Sequence, residues 1–177
     1  KQKIQKTTKR QKLMSIKRNN RINDCLSKSC KFVVMYCLKN GISKLVLGYN
    51  ADFQGKPIMG KRNNQTFKNI PFGKIKSKFE YFCELYNIKF VTQEESYTSK
   101  ASFWDKDEIP VYEANNSKDY SFSGKRIKRG LYRTSTGKTL NADVNGALNI
   151  LRKSSVVALT GLYSRGEVNT HTRIRVA

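Results

Sequence analysis

Apolar residues between positions 22 and 38 recur at intervals of three and four, the spacing of one face of an α-helix. The positions are Ile22, Leu26, Cys30, Val33, Val34, Cys37 and Leu38. The sequence therefore predicts a long helix with one buried stripe. It should end near Asn40 and Gly41, because glycine readily adopts the left-handed conformation that closes a helix. The basic segment before residue 20 fits either a helical extension or a frayed end.

Two short apolar runs, residues 44–48 and 88–91, predict two strands. Residues 49–70 carry the glycine, proline and asparagine content of a loop, and Pro71 can open a second helix. Apolar residues continue that helix at helical spacing as far as Tyr86. A strand, a helical crossover and a second strand predict an α/β fold in which the two strands are adjacent, parallel and buried.

Residues 96–140 are polar and basic without helical periodicity, and we interpret them as short hairpins in an insertion. A last helix should begin near Asn141 and end at Lys153. Its predicted buried residues are Ala147, Leu148 and Leu151. Two strands are too few for a stable open sheet, so the α/β domain is expected to be incomplete.

The chain carries 35 Lys and Arg against 13 Asp and Glu, a formal charge of +22. Such an excess is typical of proteins that bind a polyanion, above all nucleic acid. An apolar content of 38% with 3 prolines favours a folded chain over a disordered one. A membrane partner is not expected, because no apolar run approaches the ~20 residues of a spanning helix and no secretory signal opens the chain. The pattern indicates a soluble, cytoplasmic protein.

The four cysteines form no CxxC pair, and the single histidine, His171, lies in the tail. A zinc site therefore has no support from the ligand spacing. Three of the cysteines fall on apolar helical faces and are expected to act as small core residues: Cys30, Cys37 and Cys83. Asp24 lies off the apolar stripe and is expected to be a solvated helix acid.

Acidic residues lie at the end of one predicted element and at the start of another, although the chain as a whole is strongly positive. Glu94 and Glu95 follow the second strand, and Asp143 begins the last helix. Carboxylates that converge from separate elements can hold Mg²⁺ ions against a phosphate backbone. The structural alternatives are a surface acid paired with a lysine for Glu95 and a carboxylate complementing the helix dipole for Asp143.

Basic and aromatic residues interleave in the insertion, a composition that suits phosphate contacts and base stacking on single strands. The candidate nucleic-acid contacts are Lys100, Lys125, Arg126, Lys128, Arg129, Tyr132 and Arg133. In a protein of ordinary charge the same run would be a solvated face.

Three segments together resemble the TnpB (OrfB) proteins of bacterial insertion sequences: residues 94–103, 122–133 and 141–147. They occur in the family's order, and the resemblance extends over residues 10–153. It implies an incomplete RuvC-like nuclease domain of the ribonuclease-H fold, interrupted by a small β-hairpin-rich, target-strand-loading insert related to zinc ribbons. It also implies an RNA-guided DNA endonuclease that uses Mg²⁺, with DNA and a guide RNA as partners.

The resemblance implies a division of the chain into four parts. Residues 1–95 would be the partial nuclease domain, residues 96–140 the insert, residues 141–153 the final nuclease helix and residues 154–177 a basic tail. The family's first catalytic acid lies on a strand before the long helix, and residues 1–20 contain no acid. The chain is therefore expected to be N-terminally truncated, with little or no nuclease activity alone.

The resemblance assigns the third catalytic acid to Asp143. The family's usual second acid is a glutamate after the first strand, where this chain has Gly48. Some relatives carry that acid just before the Thr-Ser-Lys motif, a position that Glu95 matches, with Glu94 as the alternative. Glu95 and Asp143 should then approach closely enough for Mg²⁺ to bridge them.

Zinc-bearing relatives place two cysteine pairs in the insert. This chain has Ser102 and Asp105 at the first pair and Arg133 and Thr136 at the second, so no zinc is expected. The insert should keep its hairpin shape through aromatic residues, namely Phe103, Trp104, Tyr120, Phe122 and Tyr132.

These inferences favour the C-terminal portion of a transposon-encoded, RNA-guided DNA endonuclease. The alternative is a catalytically inactive remnant that still binds DNA or RNA. A structural RNA-binding protein would explain the charge but not the ordered acid motifs.

Overall fold

The computed structural model describes residues 7–50, 71–112, 119–164 and 174. These residues divide into two compact units. Residues 7–43, 71–88 and 174 belong to the first unit, and residues 44–50, 89–112 and 119–164 belong to the second. Helices mixed with small sheets confirm the predicted α/β class. No helix in these ranges has the length and hydrophobicity that a bilayer crossing requires.

The first unit is a pair of packed helices, α1 (Lys9–Lys39) and α2 (Phe72–Leu85). The basic N-terminal segment is helical from Lys9, because Thr8 and Gln11 form a capping box. The Thr8 hydroxyl accepts from the Gln11 amide at 3.2 Å, and the Gln11 side chain accepts from the Thr8 amide at 2.9 Å. This reciprocal pair satisfies two backbone groups that the first turn of the helix leaves open.

The predicted stripe of α1 is buried at Cys30, Val34 and Cys37. The prediction that Leu38 faces the core is wrong, since it is 38% exposed. Cys37 takes the inward position in the last turn, and the next residue is rotated by about 100° away from it. Asp24 is exposed and pairs with Lys28 at 3.0 Å, as expected of a solvated helix acid.

Both helices end in the same hydrogen-bonded closure. After α1, Gly41 is left-handed with φ +64° and the Ile42 amide donates to the Cys37 carbonyl at 2.8 Å. After α2, Asn87 takes the left-handed position and the Ile88 amide donates to the Cys83 carbonyl at 2.8 Å. This pattern is the Schellman closure predicted from the glycine of the first helix.

The buried cysteines behave as small core residues, as predicted. Cys30, Cys37 and Cys83 are buried, while Cys25 is exposed. Burial raises the pKa of each of the three buried thiols, which keeps them protonated and unreactive at neutral pH.

The second unit contains two strands, β1 (Lys44–Gly48) and β2 (Lys89–Gln93), that pair in parallel. Leu45 lies opposite Phe90, and Gly48 lies opposite Gln93. This confirms the predicted pairing across a helical crossover. The prediction that both strands are buried is wrong, because their residues are half-buried or exposed. Among the described residues the sheet has only these two strands, so each keeps one unpaired edge.

The insertion contains a second, antiparallel sheet of three short strands: β3 (Lys125–Lys128), β4 (Leu131–Arg133) and β5 (Thr139–Asn141). Their order is β3-β4-β5, as in a meander, and the hairpins predicted here are confirmed. A bulge interrupts the pairing between Arg126 and Lys128. The small core beneath the sheet consists of Tyr132, Leu140 and Ala142, with Trp104 packed against it.

The last long helix, α3 (Ala142–Ser154), starts directly after β5 and packs against β1 and β2. Asn141 caps it, since its side-chain oxygen accepts from the Asp143 amide at 2.8 Å and the Val144 amide at 3.1 Å. A short helix, α4 (Thr160–Ser164), follows.

The predicted buried face of α3 is wrong. Ala147 is exposed and Leu148 and Leu151 are half-buried, whereas Asn145 and Asn149 are fully buried. The reason is hydrogen bonding: both side-chain amides bind backbone groups of the loop after β2, so the polar face turns inward. Apolar periodicity alone does not reveal a helix face that binds a loop.

Candidate metal and nucleic-acid site

The loop after β2 folds as a tight turn around Thr98. The Thr98 hydroxyl donates to the Glu95 carbonyl at 2.7 Å, and the Ala101 amide donates to the Tyr97 carbonyl at 3.0 Å. Tyr97 lies in the left-handed region at φ +63°, a conformation that costs a non-glycine residue energy and recurs at functional sites. Its ring packs against Tyr120 and Phe122, which holds the turn in place.

Two asparagines of α3 tie this turn to the helix. Asn145 accepts from the Phe103 amide at 3.0 Å and donates to the Ala101 carbonyl at 2.8 Å. Asn149 donates to the same carbonyl at 2.7 Å and to the Thr98 carbonyl at 2.9 Å. These buried hydrogen bonds hold the turn that follows Glu94 and Glu95 against the interior of α3.

Sequence reasoning missed these two asparagines. The available signal was their spacing of four residues within a helix interior, where asparagine is an unfavourable residue unless its amide has a specific partner.

Glu94 is held by a nearly buried lysine. Lys153, whose side chain is 8% exposed, forms an ion pair with the Glu94 carboxylate. The Ser96 amide also donates to this carboxylate at 2.6 Å. Burial on its own raises the pKa of Glu94, but the hydrogen bonds from Lys153 and Ser96 outweigh it, so the pKa lies below the ordinary value. Glu94 thus has a structural role. The sequence did not reveal this role, because it placed Lys153 only at the end of the last helix and gave no sign of its pairing with Glu94.

Glu95 has the opposite surroundings. Its side chain is half-buried, and its carboxylate has no ion pair or hydrogen bond among the described residues. Burial, followed by the neighbouring charge of Glu94, raises the pKa of Glu95. Among the described residues, no cation offsets the effect of burial on Glu95.

The position of the Glu95 carboxylate is informative. A Cβ placed on Gly48 at the end of β1 would lie 2.6 Å from Glu95 Oε2 and 2.6 Å from Ile150 Cδ1. No side chain at position 48 fits beside Glu95 without displacing it. The glycine therefore leaves at the end of β1 the space that the Glu95 carboxylate occupies.

Asp143 stands in the first turn of α3 and is 86% exposed. It lies seven residues before Ile150, whose side chain would meet a Cβ on Gly48. Seven residues are two helical turns, so Asp143 and Ile150 share a face, about 10 Å apart along the axis. Gly146 lies between them on that face, and a Cβ there would meet nothing within 4 Å.

The described residues contain no group of three or more His, Cys, Asp or Glu side chains arranged for a metal ion. Of the predicted ligands, Glu95 lies beside Gly48 near Ile150, Asp143 is exposed in the first turn of α3, and Glu94 pairs with Lys153. Bridging of Glu95 and Asp143 by Mg²⁺ remains a prediction.

The predicted basic contacts lie on the surface. Lys100, Lys125, Lys128, Arg129 and Arg133 are exposed. Arg126 is also exposed and lies 3.9 Å from Asp143, a surface ion pair of small energetic value.

The prediction that Tyr132 stacks on bases is wrong, because its ring is fully buried. Its hydroxyl donates to the Lys100 carbonyl at 2.7 Å. Burial and the nearby Asp107 charge raise the pKa of Tyr132 to about 12. A long aromatic side chain at the centre of a three-stranded sheet was needed for the core of this small insert.

Lys125 and Arg133 lie directly opposite each other on β3 and β4. Like charges in that position destabilise a strand pair unless an anion lies between them. They border an open cleft of about 380 Å³ that Phe122, Ser123, Gly124 and Ser135 also line. Hydroxyls, glycine backbone and two cations form a suitable surface for a phosphate group.

Two aspartates cross-link the insert, and one of them, Asp105, stands where the sequence resemblance places a zinc-binding cysteine. Asp105 accepts from the Ser135 hydroxyl at 2.6 Å and the Ser135 amide at 3.0 Å. Asp107 accepts from the Ser102 amide at 2.7 Å and the Ser123 amide at 3.0 Å. Each aspartate joins the loop after Ala101 to the hairpin sheet, the connection that a zinc ion makes between two cysteine pairs.

We expect Asp105→Asn to lower the free energy of unfolding by about 1–3 kcal/mol at neutral pH, because the amide cannot accept both Ser135 hydrogen bonds. Burial opposes ionisation of Asp105, but hydrogen bonds from Ser102 and Ser135 lower its pKa. Its contribution is therefore present above the unfolded pKa and is lost as the pH falls through the lower folded pKa. Urea denaturation of both proteins across this range measures the difference, which should shrink with acidification.

Treatment with a zinc chelator is the companion measurement, and it should leave the unfolding midpoint unchanged. Stoichiometric zinc in the purified protein, or unfolding by the chelator, would contradict the claim that the hydrogen bonds of Asp105 and Asp107 replace a structural zinc ion.

Comparison with known proteins places these features in context. Residues 72–150 match the family described as Cas12f1-like, TNB domain. A cryo-EM structure of a Cas12f1–sgRNA–target DNA complex shares the fold, with a TM-score of 0.56, 17% sequence identity and coverage of 80% of this chain. The match covers 36% of the Cas12f1 chain, so this chain spans about a third of its length. No curated protein sequence matches.

Proposed function

We propose that this chain, a member of the TnpB- and Cas12f-like family, is the C-terminal, RuvC-like portion of a transposon-encoded, RNA-guided DNA endonuclease. The observation that carries the proposal is the half-buried Glu95 carboxylate beside Gly48 and Ile150, with Asp143 in the first turn of the same helix as Ile150. The sequence resemblance assigns the catalytic acids to these two positions. The related Cas12f1 structure is a complex with sgRNA and target DNA, which supports RNA and DNA as the partners of this chain.

Within the proposed site, Glu95 and Asp143 would hold Mg²⁺. The ion, when bound, would activate water and stabilise the charge of the phosphate that is cut. The surrounding residues prepare the ligands. Lys153 pairs with Glu94, whereas no cation of the described ranges pairs with Glu95, and the Asn145 and Asn149 amides keep the turn that follows Glu95 against α3.

The exposed hairpin cations would bind the phosphate backbone beside this site. Arg126, 3.9 Å from Asp143, links the two parts, since it could turn to a phosphate once a metal neutralises the aspartate. We retain the division into nuclease residues 1–95 and 141–153, insert 96–140 and basic tail 154–177 as part of this proposal.

A second candidate is a nucleic-acid-binding protein without catalysis. The observation in its favour is the absence of a three-carboxylate group among the described residues, together with the 86% exposure of Asp143. Two-metal hydrolysis requires ligands that enclose both ions. The chain alone would then bind DNA or RNA and cleave poorly.

Metal binding by variants in which an amide replaces each carboxylate tests the proposal. We expect Glu95→Gln and Asp143→Asn each to weaken Mn²⁺ binding, measured by electron paramagnetic resonance, by at least about tenfold. Glu94→Gln is the matched control: it should retain Mn²⁺ but lose about 2 kcal/mol of stability, because Lys153 is left unpaired. Since burial raises the Glu95 pKa, Mn²⁺ binding should weaken on acidification at a higher pH than for an ordinary glutamate.

The proposal fails if Glu94→Gln abolishes Mn²⁺ binding while Glu95→Gln retains it. Binding of nucleic acid with no Mn²⁺ binding by the unmodified chain would favour the non-catalytic alternative.

A further inference from the structure

The second unit contains a cavity of about 240 Å³ beside Trp104. Trp104, Leu140 and Tyr163 form its apolar wall, and Asp105, Thr134 and Thr136 supply polar groups at its edge. This volume is below the ~300–1,000 Å³ typical of sites for drug-sized ligands, so it suits one flat ring system.

The aromatic wall is held rigidly by its neighbours. Tyr163 stacks on Phe103 with ring centroids 4.8 Å apart and an interplanar angle of 8°. The Lys106 ammonium lies 4.9 Å from the Tyr163 centroid. Trp104 meets both rings edge to face, at interplanar angles of 83° and 84°. With Tyr163 covered by Phe103 and Lys106, the half-buried indole of Trp104 is the main aromatic surface available to a ligand.

The polar edge offers hydrogen-bonding groups to a flat ligand. The exposed Thr136 hydroxyl lies 3.0 Å from the buried Thr134 hydroxyl, which also donates to the Lys138 carbonyl, so Thr136 is the hydroxyl that can bind a ligand. Asp105 accepts one hydrogen bond at each oxygen from Ser135, which leaves further acceptor capacity. An aromatic wall with donors and acceptors at one edge matches the face and edge of a nucleobase.

The position of the cavity adds a second argument. It shares Thr134 with the cleft that Lys125 and Arg133 border, and the turn between β4 and β5 separates the two. A single strand that places a base in the cavity can pass its phosphates to the cations across this turn. Joint recognition of base and backbone is the usual arrangement in single-strand binding.

We propose that the cavity beside Trp104 is a nucleobase-binding subsite for one unpaired base of a single-stranded nucleic acid. The inference rests on the proposed function, because it presumes that the insert binds nucleic acid. It adds a base-stacking contact to a surface otherwise composed of phosphate contacts.

The only tryptophan of the chain is Trp104, so its fluorescence reports on this cavity directly. The full chain would be titrated with an oligodeoxyadenylate of about eight nucleotides and with an abasic strand of the same length, a span within the range of single-strand sites. Anisotropy of an end label measures binding, and tryptophan emission without the label measures stacking. Both strands should bind, but only the strand with bases should quench Trp104 in a saturable manner.

Thr136→Met fills the cavity without changing charge, and Thr136 is exposed, so the fold should tolerate it. We expect this variant to lose the quenching and to bind the oligodeoxyadenylate about tenfold more weakly, while its binding to the abasic strand is unchanged. Ala147→Met, at an exposed position of α3 that does not line the cavity, is the matched control and should behave as the unmodified chain.

Three outcomes separate the two proposals. Quenching confined to the base-containing strand and removed by Thr136→Met supports the subsite. Binding of both strands with Trp104 emission unchanged, or quenching unaffected by Thr136→Met, overturns the subsite and leaves the nucleic-acid function standing. No binding of either strand overturns both.

Discussion

Replacing Asn145 by alanine should lower the free energy of unfolding of the second unit by about 3–5 kcal/mol. The Asn145 side chain is fully buried, and it binds both the Phe103 amide and the Ala101 carbonyl. Alanine would leave the Phe103 amide buried without a partner and would add a cavity. Urea denaturation, monitored by the fluorescence of Trp104, measures this loss. Trp104 is a suitable probe because it is adjacent to Phe103.

Asn149→Ala is the matched control on the same face of α3, and it should cost only about 1–2 kcal/mol. The Ala101 carbonyl that Asn149 binds keeps its bond from Asn145. Furthermore, the Asn149 side-chain oxygen is itself buried without a hydrogen bond, so its removal relieves a penalty. Equal losses for the two variants would show that the hydrogen bonds do not determine how the turn is held.

Removing four cations of the basic hairpin should reduce nucleic-acid affinity by several hundredfold at about 0.1 M salt. The variant combines alanine at Lys125, Arg126, Lys128 and Arg129, all of which are exposed. Each phosphate contact on a single strand contributes about −0.7 to the slope of log K against log salt, so four contacts amount to nearly −3. A salt titration with a labelled single strand measures both the affinity and the slope.

The control removes the same charge from α1 by alanine at Lys9, Arg10, Lys12 and Lys17, which are also exposed. The smaller effect expected for this variant separates a local contact surface from the general attraction of a +22 chain. Asp143→Ala should leave the slope nearly unchanged, because that acid contributes no favourable contact with phosphate in the absence of metal. Equal slopes for the two four-residue variants would contradict a binding surface on the hairpin.

The aspartate cross-links offer a substitute for the zinc that the sequence resemblance would place in this part of the chain. A structural zinc draws two loops together and contributes to folding directly. Here Asp105 and Asp107 make the connection with hydrogen bonds to Ser135, Ser102 and Ser123. The consequence is a different sensitivity: acid, rather than a chelator, should loosen the insert.

Several elements followed from the sequence because local chemistry decides them. Gly41 closes α1 in the left-handed conformation, and β1 and β2 pair in parallel because one helical crossover joins two apolar runs. The burial of Cys30, Cys37 and Cys83 follows from helical periodicity. These features depend on spacing and on backbone preferences, both of which are written in the order of the residues.

The sequence located this part of the candidate site only to a short segment and did not identify which acid in it is the candidate ligand. The sequence left Glu94 and Glu95 as alternatives, because adjacent residues in a loop carry no periodicity that separates them. Lys153, 59 residues from Glu94, pairs with Glu94 and leaves Glu95 beside Gly48. That distinction depends on which side chains a distant helix brings to the turn, and no local pattern encodes it.

The burial of Tyr132 and of the polar face of α3 was also not predictable from local sequence. The sequence suggests that a tyrosine surrounded by cations is exposed, and it suggests the same for asparagines within a helix. In the structure, Tyr132, Asn145 and Asn149 are fully buried. Polar side chains can be buried when each finds a hydrogen-bond partner, and those partners come from other elements. The sequence by itself determined the class of the fold, the helix ends, the strand pairing and the excess of positive charge. Tertiary structure alone decided which polar residues form the core and which of the two glutamates pairs with Lys153, because both depend on contacts between distant segments.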